Sequence, residues 1–288
     1  MTATLRDLVA EELGLPVDAR VATVAATIAA KHGAASRAVL FYGSCLRERQ
    51  LDGLMLDFYL IVSDYRAAYD KSWLASANRL IPPNVFYVEE GGLAAKYAVL
   101  SEADFLRLSG PETRNVAVWA RFAQPSRLIW AADDAARDRA IDAVSRAAPT
   151  LLAAAGASPA VADPLERWRN AFALTYSAEL RAERKVRAAS VVDLDPERYR
   201  RFTAPALAEA ARLKVPTGWL RRRVEGKLLS VVRLAKASAT FAGGADYIAW
   251  KINRHAGTKI ELSAWQRRHP LLAGLSLLPR LLKSGAVR

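Results

Sequence analysis

The chain has 288 residues, 52% of them hydrophobic, and 42 Lys and Arg against 29 Asp and Glu give it a formal charge of +13. So apolar a composition excludes wholesale disorder, yet no run reaches the roughly 20 apolar residues needed to span a bilayer. A single cysteine, Cys45, excludes an internal disulfide, and the absence of a signal peptide leads us to expect a cytoplasmic chain.

Residues 4–13 and 17–32 carry helical apolar spacing, and the second of these segments closes at Gly33. Ala38-Val39-Leu40-Phe41-Tyr42 is short, apolar and β-prone, and predicts a buried strand broken by Gly43-Ser44. A polar loop then leads into residues 54–62, a second apolar run interrupted only by Asp57. Residues 64–78 read as a helix closed by Pro82-Pro83, and strands are predicted at 85–88 and 94–100 around Gly91-Gly92. Another strand is predicted at 127–131, before an Ala-rich helix from Asp133 onward. Residues 156–164 read as a linker dividing a first domain, 1–156, from a second, 164–288, that is almost wholly helical. The charge changes there: residues 1–163 hold 17 basic and 19 acidic side chains, and residues 164–288 hold 25 and 10. Positive charge concentrated in one half points to a polyanion, either nucleic acid or an anionic membrane surface; the plainer reading is a solvated helical face.

A carboxylate inside an apolar strand is costly unless it is paired or binds a cation, which singles out Asp57 between Leu56 and Phe58. At Gly43-Ser44 a missing side chain and a small hydroxyl let backbone amides approach a phosphate. Strand, Gly-Ser, loop and acid-bearing strand, in that order, resemble the nucleotidyltransferase superfamily that includes DNA polymerase beta. That layout implies an α+β domain with a mixed sheet, in which Gly-Ser holds a triphosphate and strand acids bind Mg²⁺. The superfamily pattern has two acids one residue apart, and Met55 stands at the partner position. Two readings follow: a catalytically dead domain, or a branch that takes its second ligand from elsewhere.

Further motifs favour the second reading. Leu40-Phe41-Tyr42-Gly43-Ser44 followed by Met55-Leu56-Asp57-Phe58 resembles the mitochondrial translocator-assembly-and-maintenance type of phosphatidate cytidylyltransferase. Lys96-Tyr97-Ala98-Val99 is similar to that family's Lys-Tyr-Gly-Val strand, and Arg121-Phe122-Ala123-Gln124-Pro125 to its Gly-Arg-Leu-Gln-Lys-Pro segment. Leu174-Thr175-Tyr176-Ser177-Ala178-Glu179-Leu180-Arg181 resembles its Leu-Ser-Tyr-Ser-Gly-Asp-Phe-Arg. The ordered set covers residues 38 to 202. Cys45 departs from the family's glycine, and the stretch after the acidic strand lacks its histidines.

The resemblance implies transfer of CMP from CTP to phosphatidic acid, giving CDP-diacylglycerol and pyrophosphate. Asp57 and Glu179 would be the catalytic, Mg²⁺-binding carboxylates, with Glu179 supplying the acid that Met55 does not. Tyr42, Gly43, Ser44 and Lys96 would hold the nucleotide, and Arg121 and Arg181 would clamp phosphate. His32, His255 and His269 are too dispersed for a metal site. From residue 267 onward a leucine-rich stretch flanked by Arg267-Arg268 and by Arg280 and Lys283 predicts an amphipathic segment lying on a membrane, here the inner membrane; the rival is a terminal core helix. With no recognised nucleic-acid motif, no nucleic-acid partner is expected. Other readings are a nucleotidyltransferase with a different phosphorylated acceptor, or a dead domain that binds nucleic acid.

Overall fold

Five apolar segments pair into one mixed sheet in the order β3-β4-β2-β1-β5. They are β1 (Ser36–Tyr42), β2 (Met55–Val62), β3 (Asn84–Glu90), β4 (Leu93–Ser101) and β5 (Ser126–Ala131). β2 runs parallel to β4, and the other neighbours are antiparallel. As a central strand β2 is covered on both faces, which explains its unbroken apolar run. This computed structural model describes residues 3–47, 50–156, 163–179, 191–216, 218–240 and 263.

Side-chain alternation divides the core. Val39, Phe41, Phe58, Leu60, Val62 and Val99 point to one face, covered by α2 (Ala19–Ala30). Leu40, Tyr59, Ile61, Ala98 and Leu100 point to the other. That second face is buried under α1 (Leu5–Leu13), α5 (Glu102–Ser109), α6 (Trp119–Phe122), α7 (Asp134–Ser145) and α8 (Ala147–Ala155). The same core continues past the linker into α9 (Pro164–Ala178) and α10 (Pro196–Ala210) through Leu165, Trp168, Phe172, Tyr199 and Phe202. A last helix, α11 (Trp219–Thr240), packs on α9 and β3.

Caps fix many of the helix starts. Thr4 and Asp7 form a capping box on α1, and Asp18, Ser101, Asp133, Asp163 and Asp195 accept from first-turn amides. The helix expected over 64–78 is two: α3 (Tyr65–Ala68) and α4 (Ser72–Leu80). The chain turns extended at Tyr69, whose ring is drawn into the core beside His32 and Phe86, at centroid distances of 5.8 and 5.9 Å. Sequence reading also passed over α5 and α6. Arg181, His255, His269, most of the predicted linker and the leucine-rich segment from residue 267 lie outside the described residues.

Candidate functional site

Register brings four of the singled-out residues together. Tyr42, the last residue of β1, pairs with Asp57 near the start of β2, and Asp57 pairs with Lys96 on β4. Tyr42 also faces Ser126 on β5, so Ser126, Tyr42, Asp57 and Lys96 form one row across the sheet on the α6 side. Gly43 follows at φ +96°, and a Cβ there would lie 3.3 Å from Oδ2 of Asp57. Glycine therefore serves twice, allowing the left-handed turn and leaving the carboxylate uncrowded. Ser44 opens a 3-10 turn to Arg47 and is exposed.

Asp57 Oδ1 lies 3.0 Å from Lys96 Nζ, with both side chains about a quarter exposed. That oxygen is buried, and the ion pair with Lys96 leaves its other lone pair open. A buried carboxylate oxygen in this state retains capacity for a further cation or donor. Burial, and then the nearby Asp57 charge, raises the Tyr42 hydroxyl above the ordinary tyrosine range.

Two residues on, Tyr59 faces the same side of β2 and packs its ring at a tilt against Tyr42, 5.2 Å between centroids. Over this second row stands Arg121, at 3.4 Å from Glu179, whose side chain is 9% exposed. Arg121 Nη1 also donates to the Ala117 carbonyl. Burial opposes the Arg121 charge, but Glu179, the Tyr59 and Tyr42 hydroxyls and Asp57 together hold its pKa above the ordinary arginine value. Among the described residues no group of three His, Cys, Asp or Glu side chains gathers as a metal cluster.

Sequence reasoning missed Tyr59 as a site residue, though strand alternation from Asp57 places it on the same face. Within the basic second half it gave Arg233 and Lys236 no role of their own, yet α11 turns both toward the sheet. Arg233 Nε donates to the Pro82 carbonyl at 2.8 Å, and Lys236 Nζ bonds the carbonyls of Ile81 and of Pro83, the latter at 2.8 Å. Burial, then Arg233, pushes the Lys236 amine down to about 7.

No protein-family model matches the chain, and no curated protein matches it in sequence.

Proposed function

We propose that the chain is a Mg²⁺-dependent nucleotidyltransferase of polymerase-beta-like fold, transferring CMP from CTP to phosphatidic acid. The observation that carries this reading is the row Tyr42–Asp57–Lys96 behind the Gly43 turn, with a buried Asp57 oxygen that faces the Lys96 ammonium at 3.0 Å. Mg²⁺ binds through one or two carboxylates completed by phosphate oxygens and water, so this donor set fits the ion. Asp57 would hold it, with Glu179 as the second carboxylate. When bound, the metal supplies charge neutralisation to the phosphates.

The chain's own residues position and neutralise. Gly43 leaves room for the triphosphate beside Asp57, while Lys96 and Arg121 place positive charge where negative charge develops. An oxygen of the acceptor phosphate forms a bond to the α-phosphorus of CTP. The bond from that phosphorus to the bridging oxygen breaks, and pyrophosphate leaves with the electron pair. A phosphate monoester is already anionic near neutral pH, so no strong general base is needed. Tyr42, with its raised pKa, stays protonated and acts as a donor rather than a base.

Association with an anionic membrane surface belongs to the same reading. Leu220, Val224, Leu228 and Val231 are 75, 62, 65 and 53% exposed, and they recur at helical spacing along α11 beside exposed Arg221, Arg223 and Lys227. An apolar stripe with cationic flanks suits the interface of a bilayer. Among the described residues no helix is long and apolar enough to cross one.

The test is direct. Asp57→Asn keeps the shape and removes the charge, so CMP transfer from labelled CTP to a panel of phosphorylated acceptors should fall by orders of magnitude while the fold survives. A folded variant with near wild-type transfer sinks the proposal, and the panel identifies the acceptor.

A further inference from the structure

We infer that Arg233, with Arg121 beside it, binds a phosphate monoester dianion: the phosphate of the acceptor. The acceptor role rests on the function proposed above, whereas the anion site rests on geometry of its own. Arg233 Nη2 is buried and has no hydrogen-bond partner, and among the described residues no carboxylate pairs with this guanidinium. A buried charged donor left in that state is costly unless something accepts from it. Within the described residues its Nε donates to the Pro82 carbonyl.

The surroundings indicate what that acceptor is. Tyr59, Arg121 and Glu179 all act electrostatically on Arg233, and Glu179 is already held by Arg121 at 3.4 Å. Among the described residues the Arg121 and Arg233 guanidinium groups share a half-buried space with the Glu179 carboxylate, and the nearby Asp57 is balanced by Lys96 at 3.0 Å, which leaves a positive excess. Planar guanidinium forks match phosphate oxygens in pairs. Packing holds the arrangement in place. A Cβ at Gly226 would collide with the Ala178 carbonyl, so glycine lets α11 close onto the end of α9. Arg233 follows two helical turns later on the same side, above the row that holds Tyr59. Asp57 and Tyr59 are two residues apart on β2, about 7 Å. An anion on Arg233 and Arg121 therefore stands one step along the sheet from the place given to the nucleotide phosphates.

The experiment uses the full chain and isothermal titration with three monoesters or their parent ion: dioctanoyl phosphatidate below its micellar concentration, glycerol 3-phosphate and inorganic phosphate. Mg²⁺–CTP is titrated separately. Arg233→Gln should weaken binding by about tenfold or more, the effect of one charge-assisted hydrogen bond, and leave CTP affinity within about twofold. Loss confined to inorganic phosphate and glycerol 3-phosphate supports the site with a water-soluble acceptor. Loss that includes phosphatidate supports it with a lipid one. If the monoesters depend on Arg233 but no form of the protein binds CTP, the site stands and the nucleotidyltransferase reading fails. A folded Arg233→Gln protein that binds all three as the wild type does overturns the inference. So does a wild type that binds none, or a CTP loss equal to the monoester loss. Should Arg233→Gln not fold, Arg233→Lys decides, since it keeps the charge without the fork: unchanged phosphate affinity overturns the assignment, and a clear loss supports it.

Discussion

Glu179, proposed as the second carboxylate beside Asp57, and Asp52, in the loop just before β2, have different settings. Glu179 is nearly buried and held by Arg121, whereas Asp52 is 60% exposed and pairs with Arg20 at 3.0 Å. An exposed pair of that kind is screened by water and fixes little. Glu179→Gln should raise the Mg²⁺ concentration for half-maximal transfer several-fold, and Asp52→Asn should leave it unchanged. A Mg²⁺ titration of activity in both variants is the measurement. The reverse pattern assigns the second carboxylate to Asp52 and leaves Glu179 as the partner of a buried arginine.

At the scale of elements, α11 shows where sequence was readable and where it was not. Each strand of the sheet was legible because β-prone apolar runs between Gly and Pro breaks have few other ways to bury both faces. Tyr42, Gly43, Asp57 and Lys96 were legible for the same reason, as local exceptions inside those runs. The start of α5 was open to reading too, since Ser101 followed by Asp104 is a capping signature. What local pattern does not carry is a contact such as that of Arg233 with Pro82, set by the docking of a helix 151 positions away. In sequence, Arg233 and Lys236 are two more charges on a basic helix. Lys236 offers a test of the docking. Its folded value of about 7 lies below the ordinary 10.5. Between those values the unfolded chain carries a proton that the folded chain lacks, so this residue makes stability rise with pH. Below about pH 7 the penalty is present in full. Lys236→Met should remove that rise, and its lost bonds to the Ile81 and Pro83 carbonyls add an offset that does not depend on pH. Urea unfolding of both proteins from pH 6 to 9 checks this: a difference that is flat across the range contradicts a buried amine at this position.

For the whole molecule, the decisive contact joins the first helix to a helix beyond the predicted linker. Arg198 on α10 pairs with Glu12 on α1, Nη2 to Oε1 at 3.0 Å with a second bond from Nε, and Nη1 donates to the Ala123 carbonyl at 3.0 Å. Both residues are buried, and the guanidinium also lies over the Phe202 ring at 4.3 Å. Burial alone would favour loss of the Arg198 proton, but Glu12, with Tyr199 and Asp195, more than compensates, and the pKa is raised. Trp168 ties α9 to α10 by donating to the Tyr199 carbonyl and the Thr203 hydroxyl, and Trp219 ties α11 to α8 across the predicted linker by donating to the Ala154 carbonyl. Helices on both sides of the predicted linker are thus locked through one core, so thermal unfolding should follow a single transition seen alike by tryptophan fluorescence and far-ultraviolet dichroism. Arg198→Met should cost about 3–5 kcal/mol, because Glu12 is left buried without its partner. Replacing both, Glu12→Leu with Arg198→Met, should recover most of that loss, since no charge then remains inside and apolar volume fills the gap. Denaturant titration of the two single variants and the double variant measures the coupling. Additive losses show that the pair is not a buried lock, and two separate transitions in the wild type show that the halves fold independently.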